Sequence, residues 1–312
     1  MKSLLSAFLI AVMIGGFGLA GTLQFDKAQA STDVTGIIYS DTTWTPANSP
    51  YSLTGPVGVA SGVILTIEPG TKIILNNHPL NVNGTLIAKG TSADPVYFDG
   101  TSGGNINFAA SSSSWNEETG TGSIIEKTII NSSRVYLSNS PKINDNIIIG
   151  DLRSEGDIEV SPVISNNNVK GQISCRGSPL VLNNNVTGII GCSGSPVISK
   201  NIINAPEGFS EAYPGTGVGR VSYQDIGIGV SVDAYLCDNV VVGYFQEAAV
   251  SIGGEGRVIV ERNLISTHHL GESSGIFIGP SVSPLIQNNS ISDCDMGIYC
   301  LSSSSTIGYN NI

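Results

Sequence analysis

Aliphatic residues recur along this chain in pairs two apart, and the polar breaks between the pairs are built from Ser, Pro, Asn and Gly. Ser-Pro dipeptides stand at 140–141, 161–162, 178–179, 195–196 and 283–284, each opening the same texture: SPKINDNIII, SPVISNNNVK, SPLVLNNNVT, SPVISKNIIN and SPLIQNNSIS. The fifth residue after each Pro is Asn146, Asn167, Asn184, Asn201 and Asn289 in turn. The same register adds Asn239, Asn263 and Asn310, with Thr128 in the first slot. Three places before this reference stand Ile125, Ile143, Ile164, Val181, Ile198, Leu236, Val260, Ile286 and Ile307. Two places after it stand Ile130, Ile148, Val169, Val186, Ile203, Val241, Ile265, Ile291 and Ile312. Both columns are aliphatic in all nine units, although only 40% of the chain is apolar.

A third column lies seven to eleven places upstream: Leu137, Val160, Cys175, Cys192, Val230, Ile252, Ile278 and Cys300. Two residues before each sit Val135, Ile158, Ile173, Ile190, Ile228, Val250, Ile276 and Ile298. A spacing of two is the mark of a strand with one face buried. The β-branched content and the turn residues at the breaks exclude helix. The unit is about 17 to 26 residues long, and strands this short cannot bury a face within one unit. They can pair with the same strand of the next unit, stacked roughly 4.8 Å away. The expected fold is therefore all-β: a parallel β-helix, a solenoid whose columns run up the inside of the coil. An Asn in the reference slot both donates and accepts, so stacked asparagines form a ladder with their neighbours and the turn backbone. Its members are Asn146, Asn167, Asn184, Asn201, Asn239, Asn263, Asn289 and Asn310.

The pattern from Ser123 to Ile312 resembles the right-handed parallel β-helix families with short pectate-lyase-type repeats, including the NosD-like and the carbohydrate-binding and sugar-hydrolase groups. Upstream, WTPANSPYSLTGPVGVASGVILTIEPGTKIILNNHPLNVNGTLIAKGTSADPVYFDG is similar to the N-terminal coils of secreted members. There Val63, Leu65, Ile67, Ile73, Leu75, Leu80, Val82, Leu86, Ala88, Val96 and Phe98 form two-spaced strands, with turns at Pro69-Gly70 and Asn83-Gly84. The resemblance implies a right-handed coil. It leaves function open, since such folds carry lyases, hydrolases, adhesins and passive scaffolds.

The chain opens MKSLLSAFLIAVMIGGFGLA, with Lys2 ahead of an uncharged run and Ala28-Gln29-Ala30 at a cleavage-type site. This reads as a signal peptide over residues 1–30, with the N-terminal cap and first coils over 31–122 and regular repeats over 123–312. The alternative is an uncleaved membrane anchor, the one route by which a membrane enters the picture. Either reading makes the protein extracellular or cell-surface, where disulfides are allowed. At Ile312 the chain stops mid-unit without a polar cap, which predicts a fragment whose further coils lie beyond it, or an edge covered by a partner. A net charge of −11, with 14 Lys+Arg against 25 Asp+Glu, argues against nucleic acid as a partner.

Candidate chemistry is sparse. Cys175, Cys192 and Cys300 fall in a column that otherwise holds aliphatics, which reads as core packing. Cys175 and Cys192 lie one unit apart, a spacing that also permits a disulfide. Cys237 falls on an outward slot and Cys294 in a turn, without zinc-type spacing. The motifs NTD, GHG and RIK of a polygalacturonase-type hydrolase are missing, and no coil in 120–250 carries the row of acids that calcium needs. No cofactor is expected, and calcium lacks support.

The densest polar cluster is at 255–295. His269 and Asp295 share a slot beside that of Phe245, and His268 shares one with Cys294 and Tyr244. His268, His269, Asp293 and Asp295 are thus weak candidates for a metal or acid–base site, with a solvated turn as the alternative. Glu261 and Arg262 read as a surface ion pair. Between Asn201 and Asn239 the step is 38 residues instead of 17, and the excess at 205–225 is a loop or a degenerate coil. Its Phe209, Tyr213 and Tyr223 could stack on sugar rings, with Glu207, Glu211 and Asp225 accepting from hydroxyls. The expected function is a non-catalytic secreted or surface scaffold, glycan-binding or adhesive, with a polysaccharide or cell-envelope glycan as partner. The alternatives are a carbohydrate-active lyase or hydrolase and a NosD-like accessory protein.

Overall fold

The computed structural model describes residues 30–131, 133–154, 159–206, 226–268, 273–301 and 303–312. The body from Ser31 to Ile312 is one compact unit, a right-handed parallel β-helix. Each coil presents three strands in order around the axis. The first lies in a 12-stranded sheet, and the second and third lie in a 20-stranded sheet that wraps two faces. Every named pairing within these sheets is parallel and joins one coil to the next. Residues 1–29, within the segment read from the sequence as a signal peptide, lie outside the described residues.

The corner between the first and second strands explains the reference asparagine. The residue before each reference position has a left-handed backbone, with φ between 48° and 58°, at Lys127, Asp145, Asn166, Asn183, Lys200, Asp238, Arg262, Asn288 and Tyr309. This sharp bend turns the next side chain inward. Five of the nine are Asn or Asp, the non-glycine types that tolerate this backbone best. Each ladder amide then repeats one pattern. The Asn184 Nδ2 donates to the Asn201 Oδ1 (3.0 Å) and the Ile164 carbonyl (2.9 Å), while its Oδ1 accepts from the Asn167 N–H (3.0 Å) and Nδ2 (2.9 Å). The ladder runs from Asn146 to Asn310 without a break. It starts at Thr128, whose N–H donates to the Asn146 Oδ1 (2.9 Å) and whose hydroxyl turns back to the Glu126 carbonyl.

Both aliphatic columns flanking the ladder are buried from Ile125 through Ile291. The Ser-Pro steps enter the first strand. Pro has no N–H to offer there, but the carbonyls of Pro141, Pro162, Pro179, Pro196 and Pro284 accept from the next coil.

Four expectations need correction. The third strand of the coil between Leu137 and Cys175 is Leu152–Ser154, in which Leu152 takes the column of Val135 and Ile173 and Ser154 pairs Leu137. Val160 is buried further on, bridged to Gly177, and Ile158 lies outside the described residues. The step through Gly150 matches those through Gly171 and Gly188, and the extra residues of this coil lie between Ser154 and Val163, so counting back from Asn167 falls beyond the third strand. Cys300 is exposed rather than buried, and Ile307 and Ile312 are 46% and 69% exposed. Cys237 does occupy an outward column, between Ser199 and Glu261, yet it is buried, its thiol donating to the Ser199 hydroxyl at 3.2 Å. Glu261–Arg262 is more than a pair, for Arg262 also holds Asp238 at 2.9 Å.

Candidate functional site

The corner between the second and third strands is where successive coils diverge. Three coils pass it tightly through Gly150, Gly171 and Gly188, with φ of 153°, 147° and 147°. A Cβ on Gly188 would lie 2.1 Å from the Gly171 carbonyl oxygen, so no side chain fits there. In the next four coils the second and third strands are separated by longer connections, which follow Ala205, Gly243, Thr267 and Ser292.

The longest of these connections joins Ile202–Ala205 to Ile226–Ser231. Those two strands lie in one coil: Asn185–Thr187 pairs the former and Ile190–Ser193 the latter, both parts of one strand below. Asn201 donates directly to Asn239 across the long step, so the ladder counts a single coil there. Phe209, Tyr213 and Tyr223 lie outside the described residues, as does His269.

The remaining flagged residues separate into different roles. His268 is exposed, its ring 5.7 Å from that of Tyr244 one coil earlier, so the shared slot is real. Asp293 is a turn residue with φ 53°, and its Oδ2 accepts from the Ser266 (3.0 Å) and Ser292 (3.1 Å) hydroxyls. Asp295 accepts from the Ser273 N–H at 3.2 Å and faces the third strand. Burial, with help from the charges of Asp293 and Asp295, pushes the half-buried Cys294 thiol above its ordinary range. Among the described residues no three His, Cys, Asp or Glu side chains converge as metal ligands.

A groove of about 920 Å³ lies against the third strands, lined by residues that include Glu247, Ser251, Phe277, Asp295 and Tyr299. The outward positions Gly229, Ser251, Phe277 and Tyr299 stack in register. The two rings are tilted with centroids 5.8 Å apart. A shallower depression of about 510 Å³ continues the groove toward Ser174 and Arg176, sharing Ser251 with it. Its floor is small because Gly191 and Gly229 occupy the outward column there. From the coil of Ser154 to that of Tyr299 the trough crosses six coil steps, about 29 Å at the strand spacing.

Phe277 and Tyr299 escaped the sequence reading, which looked for chemistry in the turns. Their signal was present: each sits in the middle position of the third strand, a slot that the four preceding coils fill with Ser174, Gly191, Gly229 and Ser251.

The Cys175 and Cys192 thiols are buried and free, and directly paired across two coils. A hydrogen bond between them, reinforced by burial, holds Cys175 well above the ordinary thiol range. Comparison with family models, curated proteins and solved structures finds no match, so the fold stands on the strand register and the asparagine ladder.

Proposed function

We propose that this chain is an exported or surface-held β-helix that binds an extended glycan along its third face without cleaving it. One observation carries the reading: an open trough across successive coils that ends on the in-register Phe277–Tyr299 pair. Sugar rings present apolar C–H faces that stack on aromatic rings, and their hydroxyls donate to carboxylates. Glu247 and Asp295 are exposed in the same groove and supply such acceptors. Ile226, which follows residues 207–225 in the chain, pairs Ala248 of the groove lining, and on that ground Phe209, Tyr213 and Tyr223 enter the proposal as a second set of stacking residues.

The test is glycan-array binding by the protein from Ser31 onward, followed by titration of the best ligand. Phe277→Ala and Tyr299→Ala should each weaken binding about tenfold, about 1.4 kcal/mol. Equal affinity in wild type and the double variant defeats the proposal. The second reading is a carbohydrate-active enzyme, favoured by the presence of two carboxylates in one groove. Shortened products from the bound glycan, abolished by Glu247→Gln, would replace binding with hydrolysis or elimination.

A further inference from the structure

The chain between Asn105–Phe108 and Ile124–Glu126 does not run straight from one coil strand to the next. Residues 109–123 fold out as an arm over the first-strand sheet, closed by an antiparallel bridge between Asn116 and Thr121. The arm is fastened at several points. Ser113 N–H donates to the Gly84 carbonyl (2.9 Å), and Trp115 N–H donates to the Ser140 carbonyl (2.8 Å). The Thr85 hydroxyl donates to that of Ser113 (2.7 Å). Beneath it lies a cavity of about 360 Å³, whose apolar wall includes Ile64 and Ile87 and whose rim carries Ser113, Ser114, Thr121 and Lys89.

The indole of Trp115 forms one wall, with the Lys89 and Lys142 ammoniums 5.8 Å and 5.1 Å from its ring centroid. The two cations differ. Lys142 is neutralised by Glu117, at 2.7 Å and 3.0 Å, and Glu117 also accepts from the Trp115 indole N–H. These two hydrogen bonds hold the Glu117 carboxyl below its ordinary range. Glu126, beside Lys89 on the next strand, accepts from Asn144 instead. Among the described residues Lys89 has no carboxylate partner, in a chain whose acids outnumber its bases.

We infer that the cavity under the Trp115 arm is a second binding site, for a single carboxylate-bearing sugar residue such as a uronic acid. Its C–H face lies against the indole and Ile87, its hydroxyls meet the Ser and Thr hydroxyls of the rim, and its carboxylate pairs with Lys89. Each part of that ligand answers one feature: the aromatic wall selects a ring, the hydroxyl rim selects a polyol, and the unpaired ammonium selects the acid. The site is on a different face from the trough, and its occupancy does not depend on the trough binding anything.

Tryptophan fluorescence reads the site directly. The other tryptophan, Trp44, is 4% exposed and stacked on Tyr51, so a ligand-dependent change reports Trp115. D-Glucuronate should give a saturable change with a millimolar Kd, and D-glucose and acetate should each bind about tenfold more weakly or less. Lys89→Gln should weaken glucuronate about tenfold, to the level of glucose, with an unaltered thermal melt because Lys89 is exposed. Absence of a saturable response, equal binding of glucuronate and glucose, binding of acetate as tight as glucuronate, or full affinity in the Lys89→Gln protein would each overturn the inference. Phe277→Ala, in the trough, should leave this titration unchanged.

Discussion

Replacing Asn184 with Leu tests whether the ladder holds the solenoid or only decorates it. Asn184 is 1% exposed and takes part in four side-chain hydrogen bonds. In the Leu variant the Asn167 N–H loses the acceptor it has in Asn184, and one hydrogen of the Asn167 amide loses its partner. The other amide hydrogen keeps the Ile143 carbonyl at 2.9 Å. Each buried donor left unpaired costs about 1–3 kcal/mol. Burying a Leu among the neighbouring aliphatic columns returns about 1–2 kcal/mol. The net expected loss is therefore about 3 kcal/mol. Asn310→Leu is the internal control. It removes the corresponding bonds to Asn289, but Asn310 is only half-buried and water can take over its role. There the loss should stay below about 1 kcal/mol. Urea unfolding followed by far-ultraviolet circular dichroism measures both. Because contacts in a solenoid join only adjacent coils, the Asn184 variant should also broaden or split the transition. Equal losses at the two positions, or a midpoint for Asn184→Leu matching wild type, would refute the claim that buried amide pairing sets the cost.

Gly188→Ala should cost about 2–4 kcal/mol in the same melts, since its Cβ meets a backbone oxygen at 2.1 Å and its φ is 147°. Gly229→Ala, with only a 3.8 Å contact to Ile226, should leave the midpoint within error while narrowing the trough and weakening any glycan bound there. Native thiol labelling should reach exposed Cys300 first and leave Cys175 and Cys192 slow. Cys175 carries little thiolate until the pH rises well beyond the ordinary thiol range, so fast labelling of it at neutral pH would contradict the buried pair. Asp238 and Glu261 titrate below their ordinary values, chiefly through the Arg262 bond for Asp238 and the Tyr235 bond for Glu261. Their stabilising contribution is thus complete above the ordinary carboxylate range and fades as pH falls through the lowered values. Arg262→Ala should make the urea midpoint less sensitive to pH between about 5 and 3, and an unchanged pH dependence counts against the network.

The inward half of this protein was readable from its sequence. From Asn146 to Asn289 each coil buries the same two aliphatic columns and seats the same amide, so packing against like neighbours writes a repeated pattern into the chain. Asn184 and Ile198 could be placed from spacing alone for that reason. The pattern failed where the repeat is not kept: at Val160, where residues added between Ser154 and Val163 shift the count past Leu152, and at Cys300, which is exposed. Outward residues carry no such constraint. Phe277 and Tyr299 meet because the stack aligns their strands, although the chain completes a coil between them. Trp115 meets Lys89 and Lys142 because an arm folds back over strands from two different coils. Such contacts depend on insert lengths and on where each departure returns to the barrel. Stacking tolerates any length there, so only the tertiary structure decides them.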